Sequence, residues 1–195
     1  MEEVQWKVDG MSCTNCALSI HKYLHSEGIK EPKVNFIDGA VTLLSPYISR
    51  GVISTRQVML HLIRKKYALP EMEKLIQELA WRDYFQRVAQ SFPDLCSRNL
   101  KNQQARAESR ELPAAILKAR TGIKAIDHAI DQLYETGYMH NHCRMYVASI
   151  TCNIANTHWQ LPARWMYYNL LDADFASNAC SWQWVAGSFS NKKYV

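Results

Sequence analysis

Residues 140–184 read HNHCRMYVASITCNIANTHWQLPARWMYYNLLDADFASNACSWQW, and this stretch decides the fold. It holds four tryptophans, three tyrosines, three histidines and two aspartates in largely apolar surroundings. The apolar positions over 141–156 recur on nearly every helical face, which predicts a central, buried helix. Asp172 and Asp174 lie two positions apart in an apolar context, where a carboxylate needs a partner. Arg144, on the expected buried helix, is the natural candidate. Two readings stay open on these residues alone. Either the charges line an aromatic pocket for a ligand rich in polar nitrogens and hydroxyls, or they form an ion pair that fixes helix packing, which is the commoner case. By the same reasoning the tryptophans read as core, and His140 and His142 as hydrogen-bonded structural residues.

Working outward, the pattern from residue 42 onward is helical throughout, which makes the class mainly α. The stretch SPYISRGVIS (45–54) reads as a loop leading into a helix. Ser54 and Gln57 have the spacing of a capping box, and Val58, Met59, Leu62 and Ile63 form the apolar face behind it. Pro70 suits the first turn of a second helix that carries Leu75, Ile76, Leu79, Tyr84, Phe85 and Val88. Residues 92–112 are polar and basic and read as an exposed connection. Ile123, Ile126, Ile130, Leu133 and Tyr134 mark a third helix, stopped by Gly137. Before residue 42 the pattern differs. Val4, Trp6 and Val8 alternate as in a strand, a helix follows from about Cys13 to Glu27, and KVNFI (33–37) reads as a second strand. These elements make a small βαβ segment.

Charge separates the same two regions. Residues 1–41 hold four Lys/Arg against six Asp/Glu, and residues 42–195 hold nineteen against twelve, so the larger region is the one that attracts a polyanion. No apolar run is long enough to cross a bilayer, so no membrane partner is expected. The acidic start MEEVQWKVDG lacks the basic region of a signal peptide, and a cytoplasmic location is the default. Reduced thiols follow from that default. Cys96, Cys143, Cys152 and Cys180 sit in apolar surroundings and read as packing residues. Nothing in the chain fixes an oligomeric state.

The motif GMSCTNC (10–16) is the one local thiol pair. Cys13 and Cys16 fall where a helix begins, a position that favours thiolates. Two soft thiolates without a third ligand suit Cu(I) better than zinc; a redox-active pair and two ordinary cysteines are the other readings. VDGMSCTNCALSIHKYLHSEGIKEPKVNFIDGAV (8–41) resembles the heavy-metal-associated domain of copper chaperones and copper-transporting ATPases. That resemblance implies a partial ferredoxin-like domain over 1–41, with Cys13 and Cys16 as metal ligands and Met11 packed beneath the loop.

Four blocks downstream carry a second resemblance: LLSPYISRGVIS, ELAWRDYF, TGIKAIDHAIDQLYETGYMHNHCRM and RWMYYNLLDADFASNACSWQW. Their order and spacing over 42–195 are similar to the photolyase/cryptochrome family. The resemblance implies that family's all-helical FAD-binding domain, here shorter than the family's at its C-terminal end and lacking the N-terminal α/β antenna domain. It implies that Thr42, Leu43, Leu44 and Ser45 cradle the FAD phosphates. It implies that Arg144, Asp172, Ala173, Asp174, Asn141 and Asn178 line the flavin, with Arg144 and Asp172 as an ion pair and Asn178 beside flavin N5. Glu78, Trp81 and Arg82 would face the cavity for a flipped-out pyrimidine dimer in DNA, together with Asn141 and His142, the latter standing where the family has arginine. Trp182 and Trp159 match the first two tryptophans of the family's electron-transfer chain, and Arg106 stands where the third is expected. The implied activity is light-driven repair of cyclobutane pyrimidine dimers. The alternatives are a cryptochrome-like blue-light sensor or flavin module without repair, and a Cu(I)-binding protein acting through Cys13 and Cys16.

Overall fold

The structure is a computed structural model and describes residues 42–189. The βαβ segment expected over 1–41, with Cys13 and Cys16, lies outside the described residues. Among the described residues there are eight α-helices and one π-helical segment, and the extended pairing is a single isolated bridge between Ser109 and Thr157. No described helix is long and apolar enough to cross a membrane.

The described chain divides into two units, 42–44 with 54–80 and 45–53 with 81–189. In the first, α2 (Thr55–Arg64) starts on the expected capping box. The Gln57 backbone N–H donates to Ser54 Oγ at 3.1 Å, and the Ser54 N–H donates to Gln57 Oε1 at 2.7 Å. Val58 is buried and Met59 and Leu62 are half-buried, but Ile63 is exposed. Five residues at about 100° each carry Ile63 roughly 140° around the helix from Val58, off the apolar face. α3 (Leu69–Ser91) has Pro70 in its first turn, where a missing N–H costs nothing. The Glu71 carboxylate accepts the Ala68 N–H there at 3.2 Å.

In the second unit, 45–53 departs from the expected loop. Ser45–Ser49 is a short helix, α1, with Pro46 in its first turn and the Ser49 hydroxyl donating to the Pro46 carbonyl at 3.1 Å. The one-turn α4 (Ala114–Leu117) precedes α5 (Lys124–Thr136). From the first turn of α5, Asp127 reaches back to accept from the Thr121 hydroxyl, the Thr121 N–H and the Gly122 N–H. α5 buries Ile126, Ala129, Ile130 and Leu133 and stops at Gly137, as the spacing predicts. Gly137 has φ 70°, and a Cβ there would lie 2.5 Å from Leu171 Cγ. Both conformation and close approach therefore require glycine.

The helix expected over 141–156 is divided. α6 (Asn141–Ser149) is regular, and Ile150–Ile154 is π-helical. The Thr151 hydroxyl donates back to the Val147 carbonyl at 2.7 Å, and the Ala155 N–H reaches Ile150 at 2.9 Å, five residues back. Nor is the helix buried all round: Val147 and Ala148 are, whereas Met145, Tyr146 and Ile154 are exposed. α7 (Gln160–Asn169) and α8 (Phe175–Val185) follow. α8 packs on α6 and α7, and α6 also packs on α5. Their shared core includes Met139, Val147, Met166, Trp159 and Trp182. Cys143, Cys152 and Cys180 are buried and Cys96 half-buried, all as free thiols, which matches their reading as packing residues.

The 92–112 stretch is not merely an exposed connection. Leu95 and Gln104 are buried. Gln183, fully buried on α8, accepts the Leu100 N–H at 2.8 Å and donates to the Leu95 carbonyl at 3.0 Å. Gln104 donates to the Thr157 carbonyl and accepts the Trp159 N–H, at 2.8 and 2.9 Å. Two buried amides thus satisfy backbone groups of an irregular segment, which lets it lie against the core.

Candidate functional site

The charged pair anticipated in the aromatic stretch forms. Arg144 Nη2 lies 3.0 and 2.9 Å from the two Asp172 oxygens. Asp172 is buried and Arg144 largely so, with side-chain exposures of 4% and 22%. Arg144 Nε also donates to the Met139 carbonyl at 2.7 Å, and its guanidinium lies 5.8 Å from the Tyr138 ring centre. α6 therefore carries a cation whose position is fixed from three sides. Burial pushes the Tyr138 phenol above its ordinary pKa, with Arg144 pulling the other way. At the start of α6, His140 Nδ1 accepts the His142 N–H at 3.3 Å, and the two rings stand 5.0 Å apart. Burial first, and then the charges of His142 and Arg144, hold His140 below the usual histidine pKa. Asn141 is exposed at the same helix end.

Asp174 is the N-cap of α8. Its Oδ1 accepts the Ser177 N–H at 2.8 Å. Its Oδ2 accepts from Arg82 Nη2 at 2.9 Å and from Gln86 Nε2 at 2.7 Å. Arg82 thus meets a carboxylate of the same chain, a pairing the sequence reading did not anticipate. Gln86 was missed altogether, although its place four residues after Arg82 puts it on the same face of α3. Ala173, between the two aspartates, is half-buried and donates its N–H to the Leu170 carbonyl at 3.3 Å.

On α8, one turn in, Asn178 Nδ2 donates to the Ala163 carbonyl at 2.9 Å, which fixes the amide plane. Trp182 is 2% exposed and Trp159 1%. Trp159 Nε1 donates to Asn99 Oδ1 at 2.7 Å, and the His158 ring stacks on its indole at 5.9 Å. Arg106 has a left-handed backbone with φ 57°. Trp81 is exposed and packs edge-on against Trp184 with centroids 5.7 Å apart. Tyr84, Phe85 and Phe189 complete that aromatic cluster. Trp184 is the member missed from sequence, where it read only as core.

The first unit carries two further candidate segments. Glu78 is 53% exposed and lies 4.0 Å from Lys74. At Thr42–Leu44, Leu43 has φ 51°, and the Leu44 N–H donates to Thr42 Oγ1 at 3.4 Å. Ser45, in the second unit, opens α1.

A family model describing the FAD binding domain of DNA photolyase matches residues 75–195. Among curated relatives, deoxyribodipyrimidine photo-lyase of Synechococcus sp. is 35% identical over 173 residues, covering 84% of this chain and 36% of the relative. The enzyme of the same name from Vibrio cholerae is 34% identical over 153 residues, covering 74% of this chain and 32% of the relative. Among solved structures, a class III photolyase from Agrobacterium tumefaciens aligns with a TM-score of 0.65 at 31% identity, over 76% of this chain and 32% of that one. A cryptochrome from Synechocystis sp. aligns with a TM-score of 0.74 at 25% identity, over 93% of this chain and 40% of that one. The helical core of the described residues shares its fold with these photolyase and cryptochrome structures. The chain belongs to the family of the FAD binding domain of DNA photolyase. It spans about a third of the length of the curated relatives it matches.

Proposed function

We propose that the chain is the FAD-holding core of a light-driven repair flavoprotein acting on cyclobutane pyrimidine dimers in DNA. The observation that carries this reading is the buried Arg144–Asp172 pair, with Nη2–O distances of 3.0 and 2.9 Å. The donor set fits a flavin. A fixed guanidinium and carboxylate complement a planar edge of alternating donors and acceptors. Asn178 adds an amide whose Nδ2 is anchored to Ala163, while its Oδ1 accepts no hydrogen bond from the described residues. Arg144, Asp172, Ala173, Asp174, Asn178 and Asn141 would hold the isoalloxazine, and Thr42, Leu43, Leu44 and Ser45 the phosphates. When bound, FAD supplies the light-absorbing redox centre that lends one electron to the dimer and takes it back.

The protein's part is positioning and electron supply. Trp182 and Trp159 are buried rings suited to pass an electron towards the flavin site, and the Asn99 contact holds the Trp159 indole in one orientation. Trp81 offers an exposed indole for stacking on extruded pyrimidines, with Glu78, Arg82, Asn141 and His142 as polar contacts. The excess of Lys/Arg over Asp/Glu in 42–195 favours a polyanion. The test is an absorbance spectrum of the purified chain from the near-ultraviolet to the red, before and after blue light. A flavin spectrum that bleaches or converts under illumination supports the reading; a colourless protein that takes up no added FAD overturns it.

A sensor without repair activity is the second reading. It draws on the likeness to the Synechocystis cryptochrome and on His142 in place of the family's arginine. A dimer-cleavage assay separates the two. Cu(I) binding at Cys13 and Cys16 is an independent reading, tested by copper titration against the double serine variant.

A further inference from the structure

Asp174 divides its carboxylate between two helices. One oxygen caps α8 through the Ser177 N–H at 2.8 Å, and the other receives Arg82 at 2.9 Å and Gln86 at 2.7 Å. Arg82 and Gln86 stand four residues apart on one face of α3, so a single oxygen meets both donors without distorting the helix. The pair is shielded, with side-chain exposures of 28% for Arg82 and 13% for Asp174. A capping carboxylate already satisfies an orphan N–H at the positive end of the helix dipole. The two donors from α3 add a lateral tether at the same point. α8 then carries Asn178 one turn on and Trp182 two turns on, and the Asn178 amide is anchored to α7 through Ala163. The azimuth of α8 is therefore set at its N-cap by α3 and one turn later by α7.

We propose that Arg82, assisted by Gln86, is a positioning residue that fixes the flavin-facing start of α8 through Asp174 and is not a contact to DNA phosphate. The assignment rests on the flavoprotein reading and changes one role within it. Arg82 and Trp81 are neighbours in sequence with different tasks: Trp81 presents its ring outward, while the Arg82 guanidinium turns to Asp174. Ordering of the electron-carrying helix is thereby tied to the helix that carries the stacking tryptophan.

The 195-residue chain is compared with R82Q, R82K and Q86L. Amide hydrogen exchange at Ser177 and Asn178 requires neither FAD nor DNA. R82Q should accelerate it by about tenfold, the scale of a partly buried charged hydrogen bond, with α5 amides unchanged. Q86L should have a smaller effect in the same place, and R82K should restore part of the protection. Unchanged exchange at Ser177 and Asn178 in R82Q overturns the proposal whether or not the chain binds flavin. Where FAD is bound, R82Q should alter the fine structure of the flavin absorbance band and R82K should not. The salt dependence of binding to undamaged duplex DNA gives the opposing readout. A lost phosphate contact lowers the log–log slope by about one, and such a fall in R82Q overturns the proposal. Failure of wild type to bind FAD refutes the flavoprotein reading and leaves the exchange result standing.

Discussion

Replacing Arg144 by methionine should destabilise the chain through one identifiable loss. Asp172 has 4% of its side chain exposed, and Arg144 supplies the cation 3.0 and 2.9 Å from its oxygens. Removing one partner of a buried pair costs roughly 3–5 kcal/mol, because the other charge stays buried and unpaired. Arg144 is 22% exposed, so water screens part of the effect and the lower end, about 3 kcal/mol, applies. The Met139 carbonyl also loses its 2.7 Å donor, which accounts for about 1 kcal/mol of that total. The cycle is completed with Asp172→Leu and the double variant Arg144→Met/Asp172→Leu. Apolar replacement of both charges removes the unpaired carboxylate, so the double variant should recover about 2 kcal/mol and remain about 1 kcal/mol below wild type. Urea unfolding followed by far-ultraviolet circular dichroism at pH 7 reads all four proteins. A cost under about 1 kcal/mol for Arg144→Met, or a double variant no better than the single, would refute the inference that Asp172 depends on Arg144.

Gly137→Ala should cost about 1–2 kcal/mol from its left-handed backbone, with a further loss from the 2.5 Å approach to Leu171 Cγ; adding Leu171→Ala should remove only the second part, as thermal unfolding will show. Gln183→Leu should expose amides in 92–112 to exchange, because the Leu100 N–H and Leu95 C=O lose their partners at a cost of about 2 kcal/mol. Burial pushes Cys152 and Cys180 up to about 12, so both stay thiols at pH 8. Iodoacetamide, which needs a thiolate, should label half-buried Cys96 before either, as read by peptide mass spectrometry. His140 is held below the usual histidine value by burial, so the unfolded chain binds the extra proton first. Its contribution to stability is complete above the unfolded pKa, about 6.5, and is lost as pH falls through the folded value. His140→Asn keeps an N-cap acceptor for the His142 N–H and should flatten the fall in stability below about pH 6.5 in urea titrations; an unchanged pH profile would be the contrary result.

Much of the architecture was readable because its causes are local. The Ser54–Gln57 box that starts α2, Pro70 at the head of α3 and Gly137 at the end of α5 act within a few residues of chain. Such spacing is visible in sequence because helix geometry sets it. The Arg144–Asp172 pair was also legible, though 28 residues separate its members, because scarce charges in an apolar stretch have few available partners. The mainly helical class followed from this patterning, and the family resemblance from the order and spacing of the four blocks.

What tertiary structure alone decided are pairings between residues with many chemically equivalent choices. Gln183 reaches Leu100 across 83 positions, Gln104 reaches Thr157 across 53, and Arg82 and Gln86 reach Asp174 across 92 and 88. Glutamines and arginines are common in the polar stretches of this chain, and nothing in their spacing singles out those that are buried. The same limit explains the break of the 141–156 helix, where Thr151 back-bonds to Val147 while apolar periodicity runs on unchanged. Local periodicity therefore specified where the helices run. The folded core specified which polar side chains they enclose, because a buried donor or acceptor must find its partner in space, and sequence distance does not enter that requirement.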